Sequence, residues 1–272
     1  MGKGKSRLSG QEESLDDLVL GGMKLFQSRE GYRFSLDAVL LAHFPALDGI
    51  KQVVDLGTGN GVIALLLAFR APSLRVIAVE IQETMVKRAR KNIAFNHLED
   101  RIDIVQADIK TIKEYLPPQA AELVVSNPPF WKKGEGRWSQ NPEKAVARHE
   151  LEVELAQVVL AATYILLPGG RFSIIQRAER LQEIIMLFSA NGLTPKRIRP
   201  VYPLPGREAR MVLVEGQKGG AEGLTVMPPL LVYESPGVYS AELQELYSSS
   251  RLTFLIDPPC PEDTSTDENG ST

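Results

Sequence analysis

The sequence predicts an α/β protein built on a mostly parallel sheet with helices on both faces. Three observations carry this. Short β-branched runs alternate with helix-length segments along most of the chain. The runs are apolar throughout, with little in–out alternation, as strands covered on both faces are. Two late runs are joined by a Pro/Gly loop in hairpin fashion, which adds an antiparallel edge.

Gln52–Leu56 (QVVDL) is the first such run and ends in a glycine-rich turn. Val62–Arg70 follows as a helix closed by Ala71-Pro72, because proline cannot continue it. Arg75–Glu80 is a second buried-type strand. Glu83–Asn96 is a helix with apolar spacing through Met85, Val86, Ala89, Ile93 and Ala94. Ile102–Gln106 and Glu122–Ser126 are the third and fourth strands. Leu151–Leu167 reads as the longest helix, stopped by Pro168-Gly169-Gly170. Arg171–Ile175 is a fifth strand and Ala178–Ala190 a helix, before the hairpin of Arg197–Tyr202 and Arg210–Glu215.

The expected division is a disordered basic N-terminus (1–14), an N-terminal flap (15–48), the main α/β domain (49–218), a folded appendage (219–256) and a disordered acidic tail (257–272). Asp37 or Ser35 is placed to cap a short helix in the flap. With 272 residues and 43% hydrophobic content the chain can bury a sizeable core. A net charge of −3 argues against wholesale non-specific nucleic-acid binding and leaves a local basic face open. One cysteine, Cys260, gives no disulfide framework, and three scattered histidines (His43, His97, His149) offer no metal centre. No apolar run nears the ~20 residues of a membrane span, and no apolar signal core opens the chain, so a cytoplasmic protein is expected. The Met1-Gly2…Ser6 start fits a loose myristoylation pattern, and a disordered basic start explains it as well. Gly4-Lys5-Ser6 is not a phosphate loop, since the upstream strand and glycine are missing.

Asp55-Leu56-Gly57-Thr58-Gly59-Asn60-Gly61 lies where the first strand turns into a helix. Ligands of open α/β sheets bind outside the carboxyl ends of strands, and glycines let the backbone approach them closely. A purely structural turn would need glycine too. The preceding strand, Asp55 two residues before the first glycine, and Glu80 at the next strand end raise the reading to a nucleoside-type cofactor. Glu80 lies about 20 residues on, where a carboxylate can accept two ribose hydroxyls. A dinucleotide site favours G-x-G-x-x-G with pyrophosphate on the helix; here the spacing is G-x-G-x-G with an acid in front. Asp108 follows the third strand, in Val105-Gln106-Ala107-Asp108. Each acid alone reads as a strand-end cap; together they mark one edge of the sheet.

Ser126-Asn127-Pro128-Pro129-Phe130 follows the fourth strand. Successive prolines fix their own φ and keep Asn127 and Pro128 out of the helical region, so the loop is stiff and extended. The plain alternative is a strand-to-loop exit anchored by Phe130. Chemically, the Asn127 side-chain oxygen and the Pro128 carbonyl could accept both N–H groups of a planar amine. That localises its electron pair and aims it at an electrophile. Alignment of this sort supplies several kcal/mol, aimed dipoles about 3 kcal/mol, and a base stacked on Phe130 on the order of 1–3 kcal/mol. Trp131 and Trp138 follow at once, among Lys132, Lys133 and Arg137, a pattern that fits single-stranded nucleic acid or a loop pinned by buried indoles. Lys196, Arg197, Arg199, Arg207 and Arg210 form a second basic cluster, either a solvated strand edge or a phosphate contact. His149 opens the long helix as a cap or loop-ordering residue.

The glycine loop resembles the first motif of the class I S-adenosyl-L-methionine-dependent methyltransferases, and Asn127–Phe130 matches their (N/D/S)-P-P-(Y/F) motif for planar nitrogen. Over roughly Leu18 to Tyr247, the pieces Phe34–Leu41, Ala147–Glu150, Leu167–Phe172 and Val212–Gly216 are similar to the bacterial tRNA1(Val) adenine-37 N6-methyltransferase family. The resemblance implies a Rossmann-like seven-stranded sheet with an antiparallel last strand, and methyl transfer to N6 of an anticodon-loop adenine in tRNA. It implies cofactor contacts from Phe34, Asp37, Asp55, Gly57, Thr58, Gly59, Gly61, Glu80, Ile81, Asp108 and Asn127. Catalysis falls to Asn127, Pro128, Pro129 and Phe130, and RNA contact to Trp131, Lys132, Lys133, Arg137, Trp138, Arg197 and Arg199. No metal is implied, and the oligomeric state is unspecified. Phe130 stands where many adenine enzymes have Tyr, which keeps two rivals with the same chemistry open: rRNA guanine N2 and release-factor glutamine N5. A non-catalytic cofactor- or RNA-binding module is the alternative of another class.

Overall fold

Runs of β-branched residues that are buried on both faces form the centre of one sheet. A computed structural model describes residues 13–18, 22–28, 36–129 and 155–248. The strands that open the sheet are β3 (Gln52–Leu56), β4 (Arg75–Glu80), β5 (Ile102–Gln106) and β6 (Ala121–Ser126). β7 (Leu166–Arg177), β8 (Leu193–Tyr202) and β9 (Met211–Lys218) complete its main body. Two short strands, β10 (Thr225–Val226) and β11 (Leu230–Leu231), add to β8, so the order is β10-β8-β9-β7-β6-β3-β4-β5 with β11 also on β8. Pairing is parallel from β5 through β7, and β9 runs antiparallel to both β7 and β8. The late hairpin thus lies at the expected end of the sheet, with its last strand tucked inside.

Helices cover both faces. On one side lie α1 (Leu36–His43), α2 (Val62–Arg70) and α3 (Glu83–Phe95), over a core that includes Leu41, Leu65, Val76 and Leu123. On the other lie α4 (Leu155–Ile165), α5 (Leu181–Ala190) and a 3-10 turn at Ile109–Glu114, over Val54, Val124, Phe172 and Val214. Val54 and Val124 pair in register while Val53 and Leu123 face the opposite core, the period-two split of a doubly covered sheet. α2 is buried along Val62–Ala68, so its helical face gives no amphipathic signal.

Three differences from the sequence reading have local causes. α4 ends at Ile165, and Leu166-Leu167 already belong to β7; the residue before a proline is pushed out of the helical region, and Leu166 pairs with Ala121. The expected start of that helix, Leu151, lies outside the described residues. The flap contains an antiparallel hairpin, β1 (Glu13–Asp17) and β2 (Lys24–Ser28), which begins two residues before the expected flap boundary and packs on α3. The described part of the appendage is joined to the sheet: besides β10 and β11 it holds a small hairpin, β12 (Tyr233–Ser235) and β13 (Val238–Tyr239), and α6 (Ala241–Ser248), whose Leu243 and Leu246 are buried.

Candidate active site

β3 lies between β4 and β6, so the chain leaves it to one side first and returns on the other. Such a reversal opens a crevice at the carboxyl edge of the sheet. The glycine loop and the Asn-Pro-Pro corner both leave the sheet there. Leu56 and Ser126 are register partners, and the buried Ser126 hydroxyl donates to the Leu56 carbonyl at 2.8 Å. Gly57 and Asn127 therefore start from adjacent strand ends.

The loop is fixed by its own backbone. Gly57 and Thr58 N–H both donate to the Val79 carbonyl at 2.9 Å, and Gly61 N–H donates to Thr58 O at 3.0 Å. Gly57 and Gly59 hold φ of 78° and 58°, which L side chains rarely adopt, and among the described residues nothing lies within 4 Å of a Cβ added to either. Space is open where a ligand would approach. Beneath it Asp55 is fully buried; its Oδ2 accepts the Thr58 hydroxyl at 2.6 Å, and its Oδ1 has no hydrogen-bond partner among the described residues. Burial pushes its carboxyl up to about 7, helped by the charge of Glu80 and opposed by the Thr58 hydroxyl and the Ala64 amide.

That shift has a direct consequence for stability. A folded-state value near 7 against an ordinary 3.8 means the folded protein holds a proton that the unfolded chain releases. Stability of the ligand-free protein then falls as pH rises from about 4 to 7, and the deficit persists above. Asp55→Asn is expected to match the wild type near pH 4 and to exceed it at pH 8 by on the order of 2–4 kcal/mol, read as thermal or urea unfolding across that range. Equal pH dependence in the two proteins would contradict the assignment.

Glu80 ends β4 and turns back on the loop. Its Oε2 accepts Gly59 N–H, and its Oε1 accepts Ile81 and Gln82 N–H, all at 2.9 Å. Burial raises its pKa, against the pull of these three amides. A carboxylate offers about four acceptor sites. Three are filled from within, which leaves one on Oε2 for a ligand hydroxyl, against the two expected from sequence. Beside it an open cleft of about 560 Å³ is lined by Ile81, Gln82, Glu83, Thr84, Gln106, Asp108 and Lys110. Asp108 caps the 3-10 turn through Oδ1, which accepts Lys110 N–H at 2.9 Å, so it serves as a strand-end cap while facing the cleft.

At the corner itself Asn127 is half-buried, Pro128 buried and Pro129 exposed. The fully buried Gln176 of β7 accepts Arg177 N–H at its own Oε1 and sets its Nε2 3.5 Å from the Pro128 carbonyl. That long contact takes one side of the carbonyl, whose oxygen has a second lone pair. Phe34, Phe130, Trp131, Lys132, Lys133, Arg137, Trp138 and His149 lie outside the described residues. Asp37 stands half-buried in the first turn of α1.

Two residues expected at the RNA, Arg197 and Arg199, are engaged within the fold. Arg197 donates to Glu215 at 2.9 Å and lies over the Phe44 ring, 4.9 Å from its centroid. Arg199 is buried, donating to Glu242 at 2.9 Å and to the Pro228 carbonyl at 3.1 Å. A cation removed from water needs such a partner, and these bonds tie β8 to its neighbours.

Three buried amides escaped the sequence reading: Gln176, Asn92 and Asn60. Asn60 sits inside the glycine loop with its Nδ2 buried and unpartnered. Asp55 Oδ1 and Asn60 Nδ2 are thus one buried acceptor and one buried donor, at the end of β3 and in the glycine loop, without partners among the described residues. A group carrying both an ammonium and a carboxylate, such as the amino-acid end of a nucleoside cofactor, matches that pair. Only the glycine spacing hinted at this, since a loop asparagine reads as a turn residue.

The sequence pattern of the methyltransferase small domain matches residues 36–186. A tRNA1(Val) (adenine(37)-N6)-methyltransferase of Porphyromonas gingivalis is 31% identical over 222 residues, 79% of this chain and 86% of the relative. One of that name from Tolumonas auensis is 28% identical, over 79% of this chain and 88% of its own. Among solved structures, one described as a predicted O-methyltransferase from Agrobacterium tumefaciens superposes with a TM-score of 0.66 at 24% identity, covering 80% of this chain and 98% of its own, which bears on the fold. Since the matched pattern spans more than half of the sequence and takes in both the glycine loop and the Asn-Pro-Pro corner, the chain belongs to the methyltransferase small domain family.

Proposed function

We propose that the protein transfers a methyl group from S-adenosylmethionine to the exocyclic N6 of an adenine in a tRNA anticodon loop, with A37 of tRNA1(Val) the expected target, in the cytoplasm. The observation that supports this is the pairing of Leu56 with Ser126, from which the glycine loop and the Asn-Pro-Pro corner leave side by side. The named relatives supply the acceptor.

When bound, the cofactor supplies an electrophilic methyl on a sulfonium. Its amino-acid end suits Asp55 Oδ1 and Asn60 Nδ2, its ribose the free site on Glu80 Oε2, and its adenine the cleft lined by Ile81 and Asp108. Asn127 Oδ1 and the Pro128 carbonyl accept the two N–H groups of the target amine and turn its electron pair toward the methyl. Gln176 holds the Pro128 carbonyl in place from behind. The corner needs no strong base, since the transferred methyl leaves an acidic ammonium that yields its proton to water.

The test is label transfer from the cofactor to separate tRNA, rRNA and protein fractions, followed by nucleoside mass spectrometry. N6-methyladenosine in tRNA, mapped to position 37, is the expected result. N2-methylguanosine in rRNA, or label in protein alone, would replace the proposed acceptor while keeping the chemistry.

A further inference from the structure

Asn92 lies on α3, fully buried, and is bonded at both ends of its amide. Its Oδ1 accepts Phe26 N–H at 2.7 Å; its Nδ2 donates to the Phe26 carbonyl at 3.2 Å and to the Asn60 carbonyl at 2.9 Å. Phe26 belongs to β2 of the N-terminal hairpin, and Asn60 to the glycine loop. One side chain therefore spans two segments 34 residues apart in sequence that share no strand pairing. The same α3 face presses on the loop elsewhere: a Cβ on Gly61 would stand 3.4 Å from that of Ala89.

We propose that Asn92 is a positioning residue for cofactor binding, the joint through which the N-terminal hairpin and the glycine loop hold each other in place. Three features support it. The Asn60 carbonyl is pinned by Asn92 while the side chain of the same residue leaves a buried Nδ2 for a ligand, so the bond fixes the residue that the ligand would meet. The hairpin has further anchors on α3 that do not touch the loop: Glu13 pairs with Arg88 at 3.1 Å and Lys91 at 2.6 Å, and Asn96 bonds Lys24 through both its amide oxygen and nitrogen. The Phe26 ring also packs edge-on to Phe95 and under the Lys91 ammonium. Docking of the hairpin thus has its own support, and Asn92 adds the connection. Coupling between two sites is reciprocal. If the hairpin steadies the loop, cofactor must steady the hairpin, whichever base accepts the methyl.

Amide hydrogen exchange and binding of S-adenosylhomocysteine test this on the full chain. In the wild type, the homocysteine product is expected to slow exchange in Leu25–Gln27 as well as in the glycine loop. Asn92→Asp keeps the acceptor for Phe26 N–H and loses the Nδ2 donor to both the Asn60 and the Phe26 carbonyls, of which only the first reaches the glycine loop. It should weaken binding on the order of 10-fold, the worth of one buried hydrogen bond, with KM for the methyl donor raised and kcat little changed. In that variant the ligand should no longer slow the hairpin. Glu13→Gln, which weakens the hairpin's ion pairs with Arg88 and Lys91 and touches neither Asn92 nor the glycine loop, should speed hairpin exchange and leave the ligand effect in place. Unchanged hairpin exchange in liganded wild type overturns the proposal, even should Asn92→Asp fail to fold. So does an identical response of the two variants, which would make Asn92 one more hairpin anchor.

Discussion

Asn127→Ala should abolish methyl transfer while leaving S-adenosylhomocysteine binding within a few-fold of wild type. The reasoning is geometric. Ser126 is buried and bonded to the Leu56 carbonyl, so the strand end stays in register whatever follows it. Pro128 and Pro129 keep the corner extended without help from the Asn127 side chain. Truncation then removes one acceptor from a preorganised pair and little else. Removing a single aimed dipole from such a site costs on the order of 10²–10³ in kcat, and the amine also loses the contact that orients it. Asn127→Asp keeps an acceptor oxygen and should fall between Ala and wild type. The measurement is single-turnover label transfer to tRNA beside calorimetric binding of the product. Full activity in the Ala variant would remove Asn127 from the reaction and with it the amine-corner mechanism.

The parts of this site that could be read from sequence are those whose chemistry is local. Asp55, Glu80 and Asp108 lie within two residues of the carboxyl ends of β3, β4 and β5, and a parallel sheet brings such ends to one edge whatever the strand order. The Asn-Pro-Pro corner is equally local, since proline acts on its own φ and its neighbour's. What sequence could not supply was the partner of each buried polar group. Arg197 and Arg199 read as a basic surface; Glu215 and Glu242, which neutralise them, lie 18 and 43 residues away. Asn92 follows the helical pattern of α3 as an ordinary polar residue, and its work depends on segments 66 and 32 positions distant. The β1–β2 hairpin escaped for a related reason. Glu13–Asp17 is acidic and carries no strand signature, and the cations that hold Glu13 are on α3. Local rules place strands and turns; buried polar pairing belongs to the third dimension.

Glu80→Gln should separate cofactor binding from catalysis in the opposite sense to Asn127. The two side chains have the same shape, so packing is preserved. An amide, however, has one acceptor oxygen and one N–H₂. Turned with its oxygen toward Ile81 and Gln82, it sets N–H₂ against the Gly59 amide; turned the other way, it opposes two amides. Either orientation loses at least one hydrogen bond to a charged acceptor, worth about 1.5–3 kcal/mol, and buries a donor facing a donor. The left-handed turn at Gly59 is held by that bond, so the loop that should cradle the cofactor loosens. In one orientation the free acceptor site on Oε2 disappears as well. Together these effects predict roughly 100-fold weaker binding of S-adenosylhomocysteine, with kcat at saturating cofactor reduced far less. Calorimetry and steady-state kinetics on the same preparation decide it. Wild-type affinity in Glu80→Gln would mean that the three amides, and not the ligand, are all that this carboxylate serves.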